Sequence, residues 1–409
     1  MVQIKSRSPV EIADILRAHG AAYRAAHPVS PAQGRVMTNL SQCRTAALGG
    51  HVDTCGRCGF IRISYNSCRD RHCPKCQAAD REAWIDTRLE RILPVEYFHV
   101  VFTLPEQLQS LVLQNQRLLY DLLFKAAAET LLQLGRDPKR LGGQLGFTAV
   151  LHTWGQKLLF HPHLHCVVTG GGLSLDGTRW VAAREGYLLP VKVLSRLFRG
   201  KFLSGLRDAF GDGKLKFQGS TTNLAEAYHF GKWLRSLYRR DWVVYAKPPF
   251  GGPEQVYRYL GRYTHRVAIS NSRLVSFNDA GVRFRYKDYA DEDRIKEMVL
   301  SPDEFIRRFL LHVLPKGFVR IRHYGLLASR NVPTKLARAR EILGGGTADE
   351  ASPRSARNWL ERLLAWVGED FTRCPQCHGP LQRQSFERHQ RPKSASRGTA
   401  RLVARWDTS

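Results

Sequence analysis

Acidic residues are scarce in this chain: 36 Asp and Glu stand against 63 Lys and Arg, a formal charge of +27. That imbalance favours a polyanionic partner, with nucleic acid first in line, but it names no reaction. Long apolar runs are missing as well. The stretch from Met1 to Ala22 carries charge throughout, and nothing later approaches the roughly 20 apolar residues that cross a bilayer. A cytoplasmic protein without a membrane partner is therefore expected, associated with the nucleoid when bound to DNA. No GxxxxGK[ST] loop occurs, so ATP-driven chemistry is not indicated, and no internal repeat is visible. Against these absences, 43% of the 409 residues are hydrophobic and 10% aromatic, enough to bury a core in two or three domains.

Cysteine is the residue type in surplus. In a reducing compartment the nine cysteines do not read as disulfides, and six of them fall between Cys43 and Cys76, a clustering that points to metal.

Apolar periodicity predicts helices at Glu11–Ala26, Asp80–Ile92, Leu104–Gly135 (one long helix opening with Pro105), Leu194–Phe210, Ala225–Arg239, Glu254–His265, Pro302–Val313 and Thr334–Leu343. Strands are expected at Tyr97–Thr103, Gly146–His152, Leu164–Thr169 and Trp242–Ala246, with two or three more between Arg266 and Tyr286. The fold class is α+β. Residues 1–92 read as an N-terminal helix and zinc-binding, DNA-contacting domain, 93–343 as a catalytic domain, 344–380 as a linker, helix and cysteine knuckle, and 381–409 as a flexible basic tail.

Cys55-Gly-Arg-Cys58 and Cys73-Pro-Lys-Cys76 are C-x2-C knuckles separated by 14 residues, the thiolate spacing of a zinc ribbon. Two thiolates on one tight turn face one ion. Cys43, His51, Cys68 and His72 would complete a second four-ligand site, so one or two structural zincs are expected. Their basic neighbours Arg57, Arg69, Arg71 and Lys75 are candidate DNA contacts. Cys374-Pro-Gln-Cys377 is a third knuckle with no evident second half, only His378 and His389 nearby.

In Phe160-His-Pro-His-Leu-His165, His163 and His165 stand at i and i+2, which places both imidazoles on one face of a strand. With one further ligand and open positions, such a pair can hold Mg²⁺ or Mn²⁺ against a phosphate. His161 has the same parity but precedes Pro162. The third ligand is sought on the neighbouring strand, where Gln156, nearer the turn, is favoured narrowly over His152. Gly170 to Gly172 are read as the turn that ends the histidine strand.

Tyr259 and Tyr263, at i and i+4 of an expected helix, stack their phenols on one face, with Arg262 and Arg266 one position round. A phenol is a useful nucleophile on phosphorus, because its phosphodiester product keeps the energy of the broken bond and a 3′-hydroxyl can reverse the step. Taken alone, the spacing also suits core packing or a base-stacking platform.

The order of these motifs resembles the two-tyrosine HUH transposases of rolling-circle insertion sequences, the IS91 type. The likeness runs through CRTAALGGH (Cys43 to His51), YNSCRDRHCPKCQ (Tyr65 to Gln77), HPHLHCVVTGGGL (His161 to Leu173), YLGRYTHRVAIS (Tyr259 to Ser270) and RIRHYGLLA (Arg320 to Ala328). It implies that His163 and His165 match the metal-binding histidines, that Tyr259 and Tyr263 match two nucleophiles, and that Cys43 to Cys76 match an N-terminal zinc-binding region. It also implies an antiparallel sheet with the histidines on a central strand, and the nicking and rejoining of single-stranded DNA at element ends. A zinc-dependent DNA-binding protein without catalysis, a plasmid relaxase or replication initiator, and a metallohydrolase using water are the rival classes. Oligomeric state is not read from the sequence.

Overall fold

The computed structural model describes residues 10–76, 78–89, 91–247, 255, 261, 268–344 and 370–387. The expected helix at Glu254–His265, with Tyr259, Arg262, Tyr263 and Arg266, lies almost wholly outside the described residues, as does His389. The chain divides into two compact units, residues 1–41 with 69–369 and residues 42–68 with 370–409.

In chain order the helices are α1 (Ile12–Ala26), α2 (Pro31–Ser41), α3 (Ala78–Leu89), α4 (Gln109–Gln114), α5 (Gln116–Arg136), α6 (Val191–Gly211), α7 (Ala227–Tyr238), α8 (Pro302–Leu310) and α9 (Ala337–Ile342). The strands are β1 (Gly50–Cys55), β2 (Ile61–Tyr65), β3 (Tyr97–Thr103), β4 (Gly143–Trp154), β5 (Phe160–Ser174), β6 (Trp180–Ala182), β7 (Val244–Lys247), β8 (Leu274–Asn278), β9 (Gly281–Asp288), β10 (Arg294–Leu300), β11 (Ile321–Gly325) and β12 (Leu381–Phe386). Helices and antiparallel sheets together make the α+β class that the sequence predicts.

The larger unit is built on the sheet β11-β4-β5-β3-β7, with β6 added beside β5. Its central strands are buried on both faces, which is why β4 and β5 read as long apolar runs rather than alternating ones. Parity still sorts the side chains. Leu164, Cys166 and Val168 of β5 enter the main core with Phe198, Phe202 and Leu206 of α6 and Leu123, Phe124 and Leu131 of α5. Val167, on the other face, packs with Tyr97, Trp84 of α3 and Ile92. His163 and His165 share the parity of Val167, so the fold turns them away from the main core.

Several elements depart from expectation. The long helix after Pro105 is broken at Asn115, whose side chain donates to Leu111 O at 3.0 Å and Lys216 O at 2.8 Å and accepts from Lys216 N at 2.8 Å. That local competition for backbone bonds ends α4 and starts α5. Gly170 to Gly172 form no terminal turn, since β5 continues to Ser174. A Cβ at Gly170 would meet Glu96 O at 2.6 Å and one at Gly172 would meet Gln144 O at 2.7 Å, so these glycines admit neighbouring backbone instead. Pro31–Ser41 is a helix that the sequence reading left out, and of the two or three strands expected between Arg266 and Tyr286 the fold forms β8 and β9, with β10 added beyond that range as a third.

The smaller unit is the antiparallel sheet β12-β1-β2. Residues expected to open a flexible tail form strand β12, paired with β1 from Cys55↔Leu381 to Gly50↔Phe386. At its centre Asp53, 1% exposed, is paired with Arg62 of β2 at 2.8 Å and Arg383 of β12 at 2.7 Å. Its sequence, LQRQSF, is mostly exposed and gives β12 no apolar period, and backbone pairing and these ion pairs hold it.

Candidate active site and metal centres

His152 of β4 lies directly opposite His163 of β5, Val101 of β3 opposite His165, and His99 of β3 opposite Val167. Directly opposed residues of antiparallel strands share a face. The register therefore gathers His99, His152, His163 and His165 on one side of the sheet. The ligand nitrogens of His152, His163 and His165 all lie within 4.8 Å of one another, and His163 Nε2 is 3.0 Å from His165 Nε2. Adjacent ligands of an octahedral ion bonded at about 2.1 Å stand about 3.0 Å apart, so the pair fits a hard divalent cation.

His163 and His165 are each held through the second ring nitrogen. His163 Nδ1 donates to His161 O at 2.6 Å, which makes Nε2 the lone-pair nitrogen. His99 Nε2 lies 2.8 Å from His165 Nδ1, and the two rings stack 5.0 Å apart at 10°. Burial pushes the pKa of His163 down to about 4 and that of His165 well below its ordinary value. Both are neutral at physiological pH, the form that binds metal.

Gln156, favoured as the third ligand, is a correction. β4 ends at Trp154 after a register shift, and Gln156 falls in the turn, where its Nε2 donates to Tyr289 Oη at 3.1 Å and its Oε1 accepts from Lys287 N at 3.4 Å. The strand position opposite His163 belongs to His152. His161 does not join the group, its carbonyl serving His163 instead. His99 was missed, although YFHVVFT places it on a predicted strand.

The zinc pairing also needs correction. Cys55 and Cys58 group with Cys374 and Cys377. The β1–β2 hairpin explains this: it carries Cys55 and Cys58 to its tip, and Cys43 and Cys68 flank its base. Neither predicted histidine joins a cysteine group. His51 lies mid-strand between Ser64 and Ser385. His72 is buried, with Nδ1 2.8 Å from Asp70 Oδ1 and Nε2 accepting from Leu314 N at 3.3 Å.

Of the candidate DNA contacts, Arg57 and Arg69 are exposed. Arg71 donates to Phe318 O at 2.6 Å and Pro315 O at 2.9 Å, and Lys75 is ion-paired with Glu11. Those two cations hold the fold together.

Two family models match the chain. One described as "Transposase zinc-binding domain" covers residues 15–104, and one described as "Putative transposase" covers residues 146–335. The chain is 55% identical to "Putative transposase y4qJ" of Sinorhizobium fredii over 91% of its own length and 94% of that protein's. The chain belongs to this transposase family, with its IS91-type zinc-binding domain. A more distant relative, the "Transposase for insertion sequence element IS801" of Pseudomonas savastanoi pv. phaseolicola, is 29% identical over 83% of this chain and 80% of its own. No solved structure matches. Family membership and the cysteine groups together support structural zinc. Among the described residues no helix is long and apolar enough to cross a membrane.

Proposed function

We propose that this transposase nicks and rejoins single-stranded DNA at insertion-sequence ends through a 5′-phosphotyrosine, the chemistry of rolling-circle transposition. The observation that carries the reading is the convergence of His152, His163 and His165 on one sheet face. The Tyr259-x3-Tyr263 spacing and the family's membership lend it further support.

In this reading His152, His163 and His165 would hold a Mg²⁺ or Mn²⁺ ion, which would supply Lewis-acid polarisation of a phosphate oxygen. The phenol oxygen of Tyr259 or Tyr263 attacks phosphorus in line with the leaving 3′-oxygen. The new bond is Tyr O–P, the bond broken is P–O3′, and the phenol's proton ends on the 3′-hydroxyl. A second tyrosine permits a second strand transfer before the first adduct is resolved. Arg262 and Arg266 neutralise charge on the transferring phosphate or bind the flanking backbone. Arg57 and Arg69 contact DNA phosphates, and the protein works in the cytoplasm on nucleoid DNA.

The test is to incubate the protein with Mn²⁺ and labelled single-stranded element ends, and to map any protein–DNA adduct by mass spectrometry. The adduct is expected on Tyr259 or Tyr263 and is lost in the Tyr259→Phe, Tyr263→Phe double variant. Cleavage by that variant overturns the nucleophile assignment. Cleavage with no adduct in the native protein makes water the nucleophile, and cutting of a plasmid origin but of no element end makes the protein a relaxase.

A further inference from the structure

Among its described residues the smaller unit has no hydrocarbon core. Among its described residues, the buried side chains of any apolar character are Cys43, Cys55 and Cys374, with Asp53 the buried polar one. No Val, Ile, Leu, Phe or Tyr of residues 42–68 or 370–387 is buried. Ile61 and Ile63 of β2 stay 61% and 56% exposed. A sheet of three short strands with both faces this open does not stand by apolar burial, so something else must hold it.

The two knuckles of this unit are built alike although they are separated by over 300 residues. In the first, Gly59 N donates to Cys55 O at 3.0 Å and Cys55 N donates to Phe60 O at 2.9 Å. In the second, His378 N donates to Cys374 O at 2.9 Å and Cys374 N donates to Gly379 O at 2.8 Å. The residue after the second cysteine is left-handed in both, Gly59 at φ 76° and His378 at φ 56°. A histidine in that conformation is uncommon, and it reproduces in the second turn what glycine gives the first. Gln376 N points at Cys374 Sγ from 3.4 Å, a backbone donor aimed at sulfur.

The two turns face each other. Cys55 Sγ is 3.5 Å from Cys377 Sγ, Cys58 Sγ is 3.5 Å from Cys374 Sγ, and all four sulfurs lie within 4.8 Å. Four thiolates bound tetrahedrally at about 2.3 Å from zinc stand about 3.8 Å apart, close to this spacing. Gly379 sits against the group, where a Cβ would meet Cys377 Sγ at 3.4 Å and Cys55 Sγ at 3.5 Å.

We propose that Cys55, Cys58, Cys374 and Cys377 bind one Zn²⁺ as a closed four-thiolate ribbon, and that this ion fastens residues 370–387 to the β1–β2 hairpin. Half of the site lies beyond the segments that the two family models match. The zinc is structural, because four protein ligands leave no open position for chemistry. Its binding and the ordering of β12 are one event, so the metal is the core that the unit lacks.

The decisive measurement uses the unmodified full-length protein: cysteine alkylation mapped by mass spectrometry during a slow titration with a zinc chelator. Cys55, Cys58, Cys374 and Cys377 are expected to stay protected together and to become reactive together. Alkylation of Cys374 and Cys377 while Cys55 and Cys58 remain protected overturns the proposal. Elemental analysis of Cys374→Ser/Cys377→Ser adds a second reading. One zinc per chain fewer than in the native protein is expected, with trypsin newly cutting within residues 370–387. Zinc content unchanged in that variant, measured on the folded soluble fraction, would also overturn it.

Discussion

His99 Nε2 lies 2.8 Å from His165 Nδ1, a nitrogen-to-nitrogen bond between half-buried neighbours on adjacent strands. For His165 to offer Nε2 to a cation, Nδ1 must carry the proton and His99 must accept it. His99 thus positions His165 and fixes its tautomer. His99→Ala is expected to weaken Mn²⁺ binding about 10- to 100-fold, read by calorimetry or by the electron paramagnetic resonance of the bound ion. His99→Gln, whose carbonyl can accept the same proton, is expected to recover part of that loss. Unchanged Mn²⁺ affinity in His99→Ala would show that the contact is packing alone.

Asp53 joins both outer strands of the smaller unit through Arg62 and Arg383. Burial alone would raise its pKa, but the hydrogen bonds from Arg383 and Arg62 outweigh burial and hold the carboxyl below its ordinary range. Stability from a depressed carboxylate is present above the unfolded pKa and is lost as pH falls through the folded one, so this contribution persists at pH 5 and is lost progressively as pH falls below about 4. Asp53→Asn is expected to cost about 2 kcal/mol, less than for a wholly buried pair because Arg383 is 49% exposed. Faster hydrogen exchange at the β12 amides, with little change in β4 and β5, is the signature to look for.

Acid sensitivity should come instead from the larger unit. His312 is fully buried, with Nδ1 3.2 Å from Thr153 Oγ1 and Nε2 3.2 Å from Leu158 O, and burial drives its pKa down to about 4. Between that value and the unfolded pKa of about 6.5, only the unfolded chain takes up the proton. Stability is therefore complete above pH 6.5 and falls toward pH 4, by up to about 1.4 kcal/mol per pH unit. Urea unfolding of His312→Gln against pH should show a slope shallower by about one proton. An unaltered slope would rule His312 out as a source of it.

Arg57 and Arg71 looked equivalent in sequence and are not so in the fold. Arg57→Ala is expected to leave the melting temperature in place and to reduce the salt dependence of DNA binding by about one phosphate contact. Arg71→Ala strips the donors from Pro315 O and Phe318 O and should lower the melting temperature. The reverse assignment of these two outcomes would place Arg71 in the DNA interface.

Strand parity made much of the histidine face legible in the sequence. His163 and His165 needed only an i, i+2 spacing on a strand, and the α+β class needed only the alternation of apolar periods. The third histidine was harder to see, because the choice between His152 and Gln156 depends on the hairpin register and on a shift near Trp154 that one-dimensional counting does not contain. The cysteines misled for a related reason. Spacing rewards the nearest knuckle, whereas a β-hairpin carries Cys55 to its tip, beside a partner far along the chain. Strand β12 was unreadable for lack of an apolar face, since its order depends on pairing with β1 and on Asp53. The helix that would carry Tyr259 and Tyr263 lies outside the described residues and rests on its sequence pattern.

The pairing of β1 with β12 fixes a timetable for synthesis. Gly50 leaves the ribosome early, yet its partner Phe386 is more than 330 residues behind, so the hairpin must wait, unpaired on one edge, while the whole of the larger unit is made. Domains emerging N-terminus first usually fold as they appear, and here the earliest strands belong to the last unit completed. A copy of the gene interrupted by a late stop codon would retain each of its histidines up to His323 and both tyrosines, and would still leave β1 without its neighbour.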